Sequence, residues 1–251
     1  MTKIAVELVP RDKDIFAKEV QEIHDKFASV VSTINVPDLL SCDVRSVEGA
    51  AIAKGQFNSV MPHLRAMDFD FTKAFPLKKE IQAAGIDKVL VVEGDPPQSM
   101  TYRVYPTVST DIIKKIREEL PQVKVYAGID QYRSSMKDED YRIRRKVLAG
   151  AQGFFTQPFF DMRYLEMYAD LLDNLEDKEI YWGVSPVLSE RSVSYWQIKN
   201  NVIFPKNFEP TLAWNIEFAR KVIAFAKEHN HNVYLMPIKA KIMPYLEGVL
   251  Q

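Results

Sequence analysis

From one end to the other the chain alternates between short apolar runs, rich in β-branched and aromatic residues, and longer segments whose apolar residues recur at helical spacing. Successive strands joined through a helix run parallel, and a parallel sheet must be covered on both faces. Strands are read over 4–9, 28–34, 59–62, 88–92, 123–127, 153–156, 179–184 and 232–237. Helices are read over 15–27, 44–55, 71–84, 107–120, 138–151, 164–175, 211–228 and 241–250. The segment 189–210 reads as irregular, with one short helix near Tyr195. The spacing of Ile15, Phe16, Val20, Ile23 and Phe27 shows the helical pattern, as does that of Ile112, Ile113, Ile116 and Leu120. Eight alternations predict an α/β chain closed into a (β/α)8 TIM barrel, a single domain over residues 1–251. An open doubly wound sheet is the alternative. Against it, Val9-Pro10-Arg11-Asp12 follows the first strand where a glycine-rich phosphate loop would stand, and no Walker lysine loop occurs.

A length of 251 residues suits such a barrel, and a hydrophobic fraction of 47% suffices for its core. A net charge of -1 gives no electrostatic case for nucleic acid or an anionic membrane. Cys42 is the single cysteine, which excludes an internal disulfide and a cysteine-rich metal site. The start, Met-Thr-Lys-Ile-Ala-Val-Glu, lacks a long apolar segment, and no apolar run reaches the roughly 20 residues of a membrane span. The expectation is a cytoplasmic protein without bound metal.

A parallel barrel gathers its chemistry at the carboxyl ends of its strands. The stretch Lys88–Pro97 shows how. A buried run, Val89–Val92, stops at Glu93-Gly94-Asp95-Pro96-Pro97 and leaves two carboxylates at the strand end. The mouth residues expected by the same logic are Glu7, Thr33, Asn35, His63, Glu93, Asp95, Tyr126, Asp130, Gln157, Ser185 and Lys239. Glu7 stands inside an apolar strand, Ile4–Val9, where a carboxylate is costly unless paired or functional. Partial burial would suit it to act as a general acid. Pairing with a nearby Lys or Arg is the structural alternative. His63 reads as a hydrogen-bonding group, because no second ligand stands at metal spacing in its segment. Gln157 offers both a donor and an acceptor to a flat heterocycle, or else ties a loop. Arg142–Lys146 reads mainly as a solvated helix face, with Lys146 placed to reach a phosphate.

These residues carry a resemblance. Val6-Glu7-Leu8-Val9-Pro10, Met61-Pro62-His63-Leu64, Val92-Glu93-Gly94-Asp95-Pro96-Pro97, Arg145–Ala151 and Phe155-Thr156-Gln157-Pro158-Phe159-Phe160-Asp161 stand in the order of the motifs of the methylenetetrahydrofolate reductase family. Gly183–Val187 and Phe204-Pro205-Lys206 match more loosely. The resemblance implies a (β/α)8 barrel holding FAD and a place in one-carbon metabolism and methionine biosynthesis. It implies reduction of 5,10-methylenetetrahydrofolate to 5-methyltetrahydrofolate, with NAD(P)H as electron donor. It makes Glu7 the acid and puts Asp95 between flavin and pterin. Gln157 and Lys239 would bind substrate, and His63, Glu93, Gly94, Asp95, Tyr126 and Lys146 would contact FAD. The partners implied are a small folate and either a homo-oligomer or an electron-donating partner subunit.

The chain departs from the family's usual pattern at several points. Glu93 stands where many members have arginine, Val31–Pro37 replaces a Thr-Tyr-Gly-type turn, and Asp130 replaces a histidine. Lys239 replaces an arginine, and no aromatic is evident at 188–190. Two further readings therefore stand beside the reductase: a flavin-free folate-binding barrel handling methyl- or methylene-tetrahydrofolate, and a non-catalytic subunit of a one-carbon complex.

Overall fold

The computed structural model describes residues 1–97, 102–175, 177–238 and 240–251. Eight parallel strands close into a barrel in chain order: β1 (Ile4–Glu7), β2 (Val31–Val36), β3 (Val60–Arg65), β4 (Lys88–Val92), β5 (Lys124–Ile129), β6 (Gly153–Pro158), β7 (Glu179–Val184) and β8 (Asn232–Leu235). The helices that link and cover them are α1 (Lys13–Phe27), α2 (Ser46–Ala53), α3 (Lys78–Ala83), α4 (Ser109–Glu119), α5 (Met136–Ala149), α6 (Met162–Leu172), α7 (Glu190–Asn200), α8 (Leu212–Glu228) and α9 (Ile242–Leu250). None of the described helices is long and apolar enough to cross a membrane.

The period-2 alternation of a strand decides where each side chain goes. Ile4, Val6, Ile34, Val60, Val89 and Val91 point outward and pack against the helices. Ala5, Met61, Leu90, Tyr126, Phe155, Tyr181, Tyr234 and Met236 point inward and fill the barrel. Phe155 and Tyr181 stack there with ring centroids 4.1 Å apart. The interior is therefore packed, and a ligand has to bind above it. Register carries the same parity around the sheet: Glu7 lies beside Asn35, and Asn35 beside Met61.

Several boundaries differ from those read in the sequence: β1 and β8 end earlier, at Glu7 and Leu235, β3 and β6 run on to Arg65 and Pro158, and three further differences have a local cause. The second strand starts at Val31 and runs to Val36, because Ala28–Val30 close the turn after α1. The helix expected over 71–84 is confined to Lys78–Ala83, the chain before it being pinned through Phe75 N, which donates to the Glu119 carboxylate at 3.1 Å. The segment expected to be irregular contains the full helix α7, capped by Ser189, whose side chain accepts from Ser192 N. No residue of α7 is fully buried, so it shows no apolar stripe by which periodicity could find it.

Gly183 of β7 sits where the barrel closes tightly. A Cβ there would lie 2.5 Å from Thr156 O and 2.7 Å from Met236 Cε. The backbone of Gly183 also accepts from Phe159 N and donates to Thr156 Oγ1 at 2.8 Å, so it cannot back away. Gly183→Ala is expected to destabilise the fold by about 1–3 kcal/mol through overpacking, measured as a lowered urea midpoint; an unchanged midpoint would show that β6 and β7 can separate there.

Candidate active site

Above the packed interior, the carboxyl ends of the strands surround a cleft of about 1310 Å³. Glu7, His63, Asp95, Lys146, Gln157 and Tyr234 all line it. Parity explains the first two. Glu7 is two residues past inward-facing Ala5, and His63 two past Met61.

Glu7, His63 and Tyr234 form the cleft floor, with fully buried Asn35 beside them. The Tyr234 hydroxyl donates a short hydrogen bond to Glu7 Oε2. Tyr234 Oη lies 3.5 Å from His63 Nε2, and Asn35 Nδ2 donates toward the same nitrogen at 3.4 Å. No lysine or arginine pairs with Glu7 among the described residues. Burial pushes the Glu7 carboxyl up to about 7, against the opposing pull of the Tyr234 hydrogen bond. Burial holds His63 down at about 4, so it is neutral at physiological pH. Tyr234 is raised well above its ordinary value by burial and by the adjacent Glu7 charge. The floor thus offers a carboxyl that is half-protonated near neutrality beneath an open cleft.

The two carboxylates after β4 part company. Val92 points inward, so Glu93 points outward toward α4. There its carboxylate accepts from Ser109 N at 3.0 Å and from Ser109 Oγ at 2.5 Å. This places a negative charge on the N-terminus of an 11-residue helix, where exposed N–H groups favour it. Gly94 has φ +88, and a Cβ there would meet the Arg65 side chain at 3.1 Å. The turn it makes lets Arg65 Nη2 donate to Asp95 O at 2.7 Å, while Arg65 Nε lies 3.3 Å from Asp68. The Asp95 side chain is left exposed in the cleft.

Lys146 is buried on α5. It donates to Gly128 O at 2.7 Å and lies 3.9 Å from Glu139, and burial lowers its pKa. Gln157 extends its side chain into the cleft, while its backbone carbonyl accepts from Gln131 Nε2 at 2.7 Å. Asp130 lies at the rim beside Arg133.

Other residues expected at the mouth lie elsewhere. Tyr126 is one layer too deep, packed edge-on against Phe155 and Tyr181 inside the barrel. Thr33 pairs with Ser59 Oγ at 3.0 Å, and Ser185 Oγ donates to Met236 O at 2.8 Å; both are buried. Lys239 lies outside the described residues.

The sequence reading missed Tyr234, although it stands two residues before inward-facing Met236 in the last strand. It also missed the α7 face of the cleft, where Arg191, Tyr195 and Trp196 stand, and the arginines Arg133 and Arg145 on the α5 side. Tyr195 and Trp196 lie a few residues past 188–190, where no aromatic stands.

Known proteins resemble the chain in both sequence and fold. The family model for methylenetetrahydrofolate reductase matches residues 16–230. The 5,10-methylenetetrahydrofolate reductase of Buchnera aphidicola subsp. Schizaphis graminum is 25% identical over 147 residues, 58% of this chain and 50% of the relative. That of Escherichia coli (strain K12) is 26% identical over 146 residues, 57% of this chain and 49% of the relative. The matched stretch thus spans about half the length of these relatives. Among solved structures, an uncharacterized protein from Clostridium thermocellum superposes with a TM-score of 0.65 at 12% identity, over 99% of this chain and 93% of that one. A 2,3-dimethylmalate lyase gives a TM-score of 0.60 at 10% identity, over 99% and 78%. At such identities the likeness is one of fold. The family match, by contrast, runs from α1 to the end of α8 and takes in the β3, β4 and β6 motifs of the cleft: the chain belongs to the methylenetetrahydrofolate reductase family.

Proposed function

We propose that the cleft binds a reduced folate and acts on its one-carbon unit as a methylenetetrahydrofolate reductase-like oxidoreductase, with Glu7 as general acid. One observation carries this reading: an inward-facing carboxyl, held near a pKa of about 7 by burial, opens onto a cleft of about 1310 Å³. The family supports the substrate class. So does the Clostridium thermocellum structure, which binds two copies of 5-methyl-5,6,7,8-tetrahydrofolic acid.

The proton has a definite task. In 5,10-methylenetetrahydrofolate the one-carbon unit bridges N5 and N10. Glu7 gives its proton to N10, the N10–methylene bond breaks with its electron pair going to N10, and the N5 lone pair forms the iminium. That carbon would become the methyl group on accepting a hydride, which in the family comes from NAD(P)H by way of FAD. Asp95 offers acceptors to the amino edge of the pterin, and Gln157 offers a donor and an acceptor to the same ring. The whole chain acts as one catalytic domain.

In the family's scheme NAD(P)H reduces FAD, and the flavin supplies the hydride. A FAD diphosphate needs free donors at the mouth. Here the α4 N-terminus is taken by the Glu93 carboxylate, and Arg65 is engaged by Asp68 and Asp95 O. Lys146 is engaged by Gly128 O and Glu139, and Tyr126 lies inside the barrel. These residues offer the diphosphate no free donor, whereas Arg145 and Arg191 on the cleft walls make no ion pair among the described residues; no step is derived through FAD. The Glu93–Ser109 contacts favour the second reading, a flavin-free folate-binding barrel.

Calorimetry of 5-methyltetrahydrofolate against the purified protein tests the shared core of both readings. Binding is expected, weakened on the order of tenfold in Asp95→Asn by loss of a charge-assisted hydrogen bond. Absence of any binding heat would sink both. The absorbance spectrum with added FAD separates them: a bound flavin spectrum supports the flavin-dependent enzyme, and a spectrum of free FAD supports the flavin-free barrel.

A further inference from the structure

The acid in the cleft floor does not stand alone. Glu7 is 9% exposed, and its two oxygens are not equivalent. Oε2 accepts the Tyr234 hydroxyl, whereas Oε1 takes no hydrogen bond from the described residues. In a protonated carboxyl the oxygen that accepts a donor hydrogen bond serves as the carbonyl oxygen, and the proton sits on the other. Nothing in the family match or the relatives' names assigns Tyr234 a role.

We propose that Tyr234 is a positioning residue for the acid: its hydroxyl holds Oε2 as the carbonyl oxygen, so that Glu7 carries its transferable proton on Oε1, toward the cleft. The proposal rests on the reading of Glu7 as general acid. The geometry fixes the direction of donation. His63 is neutral, and its Nε2 is approached by the Asn35 amide at 3.4 Å and by Tyr234 Oη at 3.5 Å. Tyr234 Oη lies far closer to Glu7 Oε2 than to His63 Nε2, so the phenol proton goes to Glu7. Tyr234 in turn is locked by the barrel, with its ring edge-on to Phe155 at a centroid distance of 5.1 Å. The ring cannot swing aside, so the carboxyl is held in one orientation.

The other ionisable groups nearby leave this pairing as the local control. His63 on β3 faces Glu7 from across the floor, and Asp38 after β2 acts on His63. Glu93 and Asp95 after β4 line the same cleft higher up, and Asp130 does so after β5. Lys239 after β8 lies outside the described residues. Among the described residues, Tyr234 is the group that shifts Glu7 besides burial.

The two parts of the role predict opposite changes in one variant. Tyr234→Phe removes the hydrogen bond that favours the ionised acid, so the basic limb of the pH–rate profile moves up by about one pH unit. The same variant frees the carboxyl to turn, so plateau kcat falls on the order of tenfold while KM for 5,10-methylenetetrahydrofolate stays within about twofold. A purely structural tyrosine would lower activity without moving the limb upward. Tyr234→Gln, whose amide can donate to the same oxygen, is expected to return the limb toward its wild-type position. A limb that stays in place or moves down in Tyr234→Phe overturns the proposal.

A second measurement needs neither turnover nor a folded Tyr234 variant. The infrared difference between wild type and Glu7→Gln isolates the Glu7 carboxyl below its pKa. A carbonyl stretch lowered by hydrogen bonding supports the proposal, and a free-acid stretch overturns it. If Glu7→Gln stays active while the infrared band is lowered, the reading of Glu7 as acid fails and the Tyr234 pairing stands.

Discussion

Glu7→Gln is expected to lower the turnover of 5,10-methylenetetrahydrofolate by about 10²–10⁴-fold, the usual contribution of a positioned general acid. Glutamine keeps the shape of the protonated carboxyl, and its carbonyl oxygen still accepts from Tyr234, so the floor is preserved. What it lacks is a proton acidic enough to give to N10. Without that proton the methylene bridge stays closed, and no electrophilic iminium forms for any hydride carrier to reduce. The affinity for 5-methyltetrahydrofolate should therefore change by no more than about twofold, because the product has no bridge left to open. Steady-state rates together with calorimetry on the same preparation check both halves. A rate within about threefold of wild type would remove the acid from the mechanism. In the wild type, the active form carries the proton, so activity should decline as pH rises through about 7.

How much of this site could be read beforehand follows from one rule, the alternation of side chains along a strand. In β1 it carries Glu7 inward two residues after Ala5, and in β3 it carries His63 inward after Met61. In β4 it sends Glu93 outward to α4, whereas Asp95, of the same parity, reaches the cleft only because the chain turns at Gly94 with φ +88. The family motifs agree with it at Glu7, His63 and Gln157. Residues were misplaced where strand-end position was weighed without depth. Tyr126 has the right parity but lies two residues below Gly128, the position that reaches the cleft. The contacts that no local pattern could give are the distant ones. Tyr234 meets Glu7 across 227 positions of sequence, because closure of the barrel sets β8 beside β1. Likewise α7 is held by its cap and by a small aromatic cluster around Phe160, not by a stripe of its own.

The same substitution should stabilise the fold at alkaline pH, which separates the energetic cost of the acid from its use. Glu7 has a folded pKa of about 7 against an ordinary value of 4.5. Between those two values the folded chain holds more protons than the unfolded chain, so stability falls as pH rises through that window and the loss is complete above about 7. The loss amounts to about 3–3.5 kcal/mol, since each pH unit between the two values is worth about 1.4 kcal/mol. Glu7→Gln removes the titration and with it the loss. At pH 8 the variant is therefore expected to melt about 6–12 °C above wild type, while at pH 5 the two should nearly coincide. His63 works in the opposite sense: its folded pKa of about 4 lies below its ordinary 6.5, so its contribution is lost as pH falls through that range. Both proteins carry His63, so the difference between them isolates Glu7. Thermal melts of the pair across pH 5–8 make the check. A gap that fails to widen with pH would mean that Glu7 is ionised at little cost in the folded chain, and the floor of the cleft would then lack a group able to hold a proton for the substrate.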